Sequence, residues 1–178
     1  RKCPVRGTGG STEPRAELGP KVALGIEMLR QASEMRVTSA AGTDLTVDLR
    51  GAPCGGTPGF GTHPGAVAHW PGGLCLAFPG KGAVNGRIVM DVGDMNLTFK
   101  TYLASRIACT IGDDFVTAIE GAGLDAELFG NFLWSTGANQ YAGRFTLGHF
   151  DLPMRGCTIA LDGIEVVRDG KLLGDLVL

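Results

Sequence analysis

A histidine and an aspartate lie one residue apart near the end of the chain, at His149 and Asp151 in "GHFDLP". Alternate side chains of a strand share a face, so these two would project together. An imidazole and a carboxylate on one face form half of a divalent-metal site, and three protein ligands with open positions would make it catalytic. Ser135, in a Ser-Thr-Gly turn, could be a third oxygen ligand. A His–Asp hydrogen bond within a core, and an ordinary turn serine, would explain the same residues.

A second candidate lies in the stretch "THPGAVAHWPGG", where His63 and His69 are six residues apart. Pro71 and the two glycines after it would fix a turn that presents His69 and the indole of Trp70. This arrangement suits a pocket wall or a metal ligand. A turn with a packed tryptophan is the alternative, because loops carry both structural and functional residues.

These residues need a scaffold, and the hydrophobic pattern predicts one made mostly of strands. A helix is expected from Pro20, since Val22, Ile26 and Leu29 recur on one face. Period-2 alternation around Gly42-Thr43-Asp44 predicts a hairpin, and residues 50–72 form a long Gly/Pro loop. Successive strands are expected in these stretches: "GLCLAFP", "GRIVMDVGD", "NLTFKTYL", "RIACTIGD", "DFVTAIEG", "RFTLGHFDLP", "RGCTIALDG" and "IEVVRDGKLLG", the last with a tight turn at Asp169-Gly170.

A second helix begins in "GLDAELF" but is expected to make barely one turn before Gly130. The fold class predicted is therefore α+β: β-rich, mostly antiparallel, with one or two helices. Residues 1–14 are expected to be a linker or tail, because they are rich in Gly, Thr, Ser and Pro. Residues 15–178 are expected to form one β-rich domain that holds the metal site.

Composition restricts the class of protein. The chain has 178 residues, a net charge of −2 and no basic cluster, which argues against nucleic-acid binding. The longest uncharged stretch, 51–80, holds nine glycines and five prolines and cannot be a spanning helix, and the first ten residues do not resemble a signal peptide. Five cysteines without a C-x-x-C pair favour a reducing cytoplasm. Cys109 and Cys157 lie on apolar strands and are expected in the core.

Four ordered blocks carry a family resemblance: "AHWPGGLCLAFP", "GRIVMDVGDMNLTFKTY", "GNFLWSTGANQ" and "GHFDLPMRGCTIALDG". Together they resemble the 2,5-dihydroxypyridine 5,6-dioxygenases, non-haem iron enzymes that cleave the ring in nicotinate degradation. That family belongs to a wider group similar to the aminopeptidase T metallopeptidases. The resemblance runs from about residue 15 to 165, and several blocks in order are more specific than one motif.

The resemblance implies a role for each candidate residue. Ser135, His149 and Asp151 would be iron ligands, and His69 would line the substrate pocket near the pyridine ring. The expected metal is Fe(II), with zinc, cobalt or manganese as alternatives. The expected partners are a small aromatic substrate and O2, in a cytoplasmic protein that forms homo-oligomers, with neither nucleic acid nor membrane as a partner.

The resemblance also implies parts that this sequence does not show. One is an N-terminal α/β domain that supplies a catalytic base. Another is a segment of several dozen residues, with a further histidine ligand, between "DAELF" and "GNFLWSTG". The resemblance also implies a carboxylate upstream of "HWP", but Thr57 and Pro58 occupy roughly that region of this sequence. Two other functions therefore stay open, a metal-dependent aminopeptidase similar to leucyl aminopeptidase and a non-catalytic remnant that serves in assembly.

Overall fold

The alternating strands and the amphipathic helix appear in a computed structural model that describes residues 18–59, 61, 63–65, 73–96, 100–135 and 156–176. Helix α1 spans Leu18–Gln31 and helix α2 spans Leu124–Ser135, and a short 3-10 helix covers Gly174–Leu176. The strands are β1 (Glu34–Ser39), β2 (Asp44–Asp48), β3 (Cys54–Thr57), β4 (Leu74–Ala77), β5 (Val84–Met90), β6 (Met95–Asn96), β7 (Thr101–Tyr102), β8 (Ile107–Gly112), β9 (Phe115–Glu120), β10 (Cys157–Leu161), β11 (Ile164–Arg168) and β12 (Lys171–Leu172).

Eight of these strands form one sheet in the order β12-β11-β10-β1-β2-β5-β8-β9, and β3-β4 and β6-β7 form two small ribbons. Every strand pair in the described part of the chain is antiparallel. The predicted α+β class is thereby confirmed. The long step in the sheet is from β9 back to β10, which lies beside β1; the connection between them includes the residues of the predicted metal site.

One face of the sheet forms the core, and the strand period explains which residues reach it. On β2, Leu45 and Val47 are buried, whereas Asp44 is exposed. Across the β1–β2 ladder, Val47 pairs with Met35 and Leu45 pairs with Val37, so apolar residues meet apolar residues. The exposed side of the same hairpin carries the Arg36–Asp44 ion pair at 2.8 Å.

Helix α1 follows the predicted 3.6-residue pattern and packs on the β3–β4 ribbon. Val22 and Leu29 are buried on the contact face. Gly25 allows the close approach, because a Cβ there would lie 2.7 Å from the Cys75 Sγ. Beyond the helix, the Asp162 carboxylate accepts hydrogen bonds from the backbone N–H groups of Ser33 and Glu34, which joins the β10–β11 turn to the start of β1.

Two expectations about local structure were wrong. Helix α2 does not end before Gly130 but continues to Ser135, which is its last residue. A mid-helix glycine costs about 1 kcal/mol relative to alanine, and here burial of Ala126 and Phe129 offsets that cost. The expected loop at 50–72 contains strand β3, which forms because its Gly-rich backbone pairs with β4.

Some expectations concern residues outside the described ranges. The predicted tail at 1–14, the predicted strand "RFTLGHFDLP" and the turn around His69 belong to this group. Neither helix in the described ranges has the length and apolar character that a membrane crossing requires.

Gly56 on β3 tests how tightly α1 sits on the ribbon. A Cβ at Gly56 would press into the Leu74 carbonyl oxygen and lie 3.1 Å from side-chain carbons of Val22 and Ile26. We expect Gly56→Ala to lower the free energy of unfolding by about 1–3 kcal/mol, as overpacking does. The matched control is Gly55→Ala, where a Cβ meets nothing within 4 Å and the change should stay within about 0.5 kcal/mol. Equal urea midpoints for the two variants would contradict the tight contact.

Cys109 on β8 provides a second test, because it is 3% exposed and its burial raises the thiol pKa to about 12. The thiolate is the reactive form, so Cys109 should resist iodoacetamide at pH 8 in the folded protein and react after denaturation. Peptide mass spectrometry of both samples gives the comparison. Modification of folded Cys109 at the rate seen in the denatured chain would show that β8 is open to solvent.

Candidate functional site

The structure places one of the four predicted site residues on a described element. Ser135 is the last residue of α2, although its side chain is outside the described part. His69, His149 and Asp151 lie in stretches that are not described, so their convergence stays a prediction. Within the described residues, no group of three His, Cys, Asp or Glu side chains could hold a metal ion.

The chain that carries His149 and Asp151 enters the sheet through Gly156, immediately before β10. Gly156 lines a cavity of about 340 Å³ whose polar lining residues are Ser39, Asp91, Asp94 and Asp169. Asp94 is 5% exposed, and its carboxylate accepts a hydrogen bond of 2.8 Å from the Asp91 N–H. Three carboxylates therefore line the cavity at the point where the chain enters β10.

Burial and the nearby Asp94 carboxylate affect the Cys157 thiol at the start of β10. Burial raises the pKa of the Cys157 thiol at the start of β10, and the negative charge of Asp94 adds to the effect. Asp91 is paired with Arg106 at 3.0 Å, which offsets one of the negative charges. Cys157 is consequently a neutral thiol packed against the core, and it is a poor metal ligand or nucleophile at neutral pH.

The start of α2 is fixed by an aspartate. One oxygen of Asp125, Oδ2, accepts hydrogen bonds from the Ala104 N–H at 2.8 Å, the Ser105 N–H at 2.7 Å and the Ser105 hydroxyl at 2.9 Å. Burial acts to raise the pKa of the Asp125 carboxyl, but the hydrogen bonds from Ser105 and Ala104 outweigh it and lower that pKa below its usual range. The helix that ends at Ser135 therefore has, in its first turn, a carboxylate that accepts three hydrogen bonds on one oxygen.

Neither Asp94 nor Asp125 stands out as a functional residue in the sequence. Each follows a glycine within two residues, at Gly93 and Gly123, and Asp125 lies in the first turn of α2, where a negative charge is favoured by the helix dipole. An acidic residue just after a glycine at an element boundary is the signal that could have marked both.

A separate cavity of about 380 Å³ lies between α1 and strands β10 to β12. Its lining is almost entirely apolar and includes Met28, Met35, Ile159 and Val166. The charged residue in the lining is Lys21, whose ammonium group donates to the Asp175 carbonyl oxygen. The described lining offers no acid–base pair and no metal ligand set, so it lacks the groups that a hydroxylated ring and a metal would require.

Comparison with known proteins connects this fold to a family. A family model described as NicX, 2,5-dihydroxypyridine 5,6-dioxygenase, matches residues 11–130 and 128–174. The curated 2,5-dihydroxypyridine 5,6-dioxygenase of Pseudomonas putida is 32% identical over 200 residues, covering 84% of this chain and 56% of the relative. A solved structure of the Pseudomonas putida 2,5-dihydroxypyridine dioxygenase has the same fold, with a TM-score of 0.77 and 24% identity over 93% of this chain and 62% of that one.

The matches cover only part of the relative's length, and they are interrupted at one point inside α2. The chain spans about half the length of the curated relative. The two segments of the family match meet at residues 128–130, inside α2, where the family resemblance implies an additional segment in relatives. Because 84% of the chain is about 150 residues, about 50 of the 200 aligned positions have no counterpart here. Helix α2 runs continuously across that junction.

These matches do not favour the aminopeptidase alternative. The family match covers well over half of the chain, and the relative at 32% identity carries the same description. The chain belongs to the 2,5-dihydroxypyridine 5,6-dioxygenase family.

Proposed function

We propose that this chain acts as a non-haem iron(II)-dependent dioxygenase that cleaves a hydroxylated pyridine ring of the 2,5-dihydroxypyridine type. The observation that carries the proposal is the family match across residues 11–130 and 128–174. In such a reaction the ring carbon–carbon bond between positions 5 and 6 breaks and both atoms of O2 enter the product. No external reductant is then required.

The proposed metal ligands are chemically suited to iron(II). Ser135, His149 and Asp151 offer a hydroxyl, an imidazole and a carboxylate, a mixed oxygen and nitrogen set that iron, manganese, cobalt and zinc accept. With three protein ligands, the remaining positions are open for small molecules. A bound iron would supply a redox-active centre at which the ring oxygen and O2 can meet.

The other residues have proposed roles in binding and orientation. His69 would hydrogen-bond the pyridine substrate from the loop between β3 and β4, and so align the ring with the metal ligands. The sheet would hold the strand that follows Asp151 in a fixed register, because Cys157 pairs with Ser39 at the entry to β10. The acidic cavity beside Gly156 would add negative charge close to that entry point.

Several broader features are part of the same proposal. Residues 15–178 would form the metal-site domain and residues 1–14 a linker or tail. The protein would be a cytoplasmic homo-oligomer in nicotinate degradation, with O2 and a small aromatic molecule as its partners. Support for the location comes from five cysteines without paired spacing, and the pathway is what the family resemblance of the sequence blocks implies.

If His149 and Asp151 are iron ligands, replacing either one should weaken Fe(II) binding, whereas replacing another histidine should not. We expect His149→Ala and Asp151→Ala to bind Fe(II) at least about 10-fold more weakly than the wild-type chain, because each removes a donor atom. Anaerobic calorimetric titration measures this directly. His63→Ala is the control, since His63 is an exposed histidine outside the proposed ligand set. Equal iron affinity in His149→Ala and His63→Ala would remove His149 from the site.

The reaction class is tested with an oxygen electrode. The iron-loaded protein should consume O2 when 2,5-dihydroxypyridine is added and should release no product from a leucine anilide with Zn(II), Mn(II) or Fe(II). Two-metal peptide hydrolysis needs bridging carboxylates, and Asp151 is the carboxylate next to His149. Anilide hydrolysis without oxygen uptake on any hydroxypyridine would overturn the proposal.

His69 should affect substrate and not metal. We expect His69→Ala to raise KM for the pyridine about 10-fold, the loss of roughly one good hydrogen bond, with iron content unchanged. Steady-state oxygen uptake and metal analysis provide the two values. A variant that loses iron would instead make His69 a ligand, and an unchanged KM would leave it as a structural turn residue.

A further inference from the structure

Helix α2 connects a firmly held end to a proposed ligand. Asp125 lies in its first turn and Ser135 is its last residue, ten positions later. At 1.5 Å per residue the two are about 15 Å apart along the axis. A tilt of about 4° at the Asp125 end would therefore move Ser135 by about 1 Å, whereas metal–ligand distances tolerate only about 0.2 Å.

The segment that receives Asp125 is itself rigid. Leu103 is 3% exposed, and its N–H donates to the Asp94 carbonyl oxygen at 2.8 Å while its own carbonyl accepts from Gly93. Ile107, at the start of β8, is fully buried. The backbone N–H groups of Ala104 and Ser105 that donate to Asp125 thus lie between two buried residues, Leu103 and Ile107.

Two glycines allow the start of α2 to lie directly on this segment. A Cβ at Gly123 would be 2.6 Å from the Ser105 Oγ, and a Cβ at Gly121 would be 2.7 Å from the Arg106 carbonyl oxygen. Ala126 and Phe129 then bury the next two turns in the core, while Leu124 and Leu128 face outward. The described contacts that set the orientation of the helix include those of its first six residues.

We propose that Asp125 is a positioning residue for iron binding, which acts through α2 to hold Ser135 at the metal. This inference rests on the proposed function, because it requires Ser135 to be a ligand. Asp125 itself does not contact the substrate or the iron. Its role is to fix the angle of the helix by accepting three hydrogen bonds on one oxygen.

A double-mutant cycle separates positioning from general stability. Fe(II) dissociation constants are measured anaerobically for the full chain with and without Asp125→Ala, in the wild-type and Ser135→Ala backgrounds. We expect Asp125→Ala to raise the Kd about 10- to 100-fold when Ser135 is present, as loss of a group that orients a ligand does. In the Ser135→Ala background the same change should alter the Kd less than about 2-fold. The reason is that Asp125 is proposed to affect iron binding only through Ser135, which is then no longer a ligand.

Asp162→Ala is the matched control, since Asp162 also accepts backbone hydrogen bonds, from Ser33 and Glu34, but at the β10–β11 turn. It should lower the Tm as Asp125→Ala does and leave the iron Kd unchanged. If Asp125→Ala does not fold, Asp125→Asn, which keeps one acceptor oxygen, should show a smaller rise in Kd that still depends on Ser135.

The contradicting outcomes are distinct. A Kd that rises equally in both backgrounds, or equally for Asp162→Ala, would make Asp125 a purely structural residue. A Kd that rises in Ser135→Ala but not in Asp125→Ala would refute positioning while leaving the ligand assignment intact. An unchanged Kd in Ser135→Ala would overturn the assignment of Ser135 and the positioning role together.

Discussion

The architecture depends on one constraint: the apolar face of the central strands is closed to water. Val47 on β2, Val84 on β5 and Ile107 on β8 have no solvent exposure, and they belong to one continuous core. Because strand side chains alternate between faces, a slip of one residue in any of these pairings would expose that strand's buried set. The core therefore fixes the register of the sheet, and the register fixes where each turn falls.

The turns and helix ends are held by aspartates that accept backbone N–H groups. Asp114, fully buried between β8 and β9, accepts from Gly82 at 2.5 Å and Val84 at 2.9 Å, and Asp162 and Asp125 do the same elsewhere. Each carboxylate satisfies donors that would otherwise be orphaned at the edge of the core. A rigid framework of this kind leaves its connections to carry function, as loops on scaffolds usually do. Among the proposed ligands, Ser135 lies at such an element end, the C-terminus of α2.

The sequence predicts elements whose pattern is local. Val22, Ile26 and Leu29 identify α1, and the alternation on either side of Gly42 identifies the β1–β2 hairpin. It does not predict the length of α2, because Gly130 is typical of a helix end and only tertiary burial of Phe129 overrides that preference. It does not predict β3 either, since Gly55 and Gly56 have low strand propensity and pair only because β4 returns beside them.

The candidate site was predictable as residue types in ordered blocks, but its geometry depends on contacts between distant parts of the chain. The central claim is that Ser135, His149 and Asp151 hold one iron. Anomalous diffraction at the iron edge from iron-loaded crystals tests it most directly. We expect a single peak about 2.0–2.3 Å from a side-chain atom of each of the three residues. A peak bound elsewhere, or one from which His149 and Asp151 both point away, would contradict it.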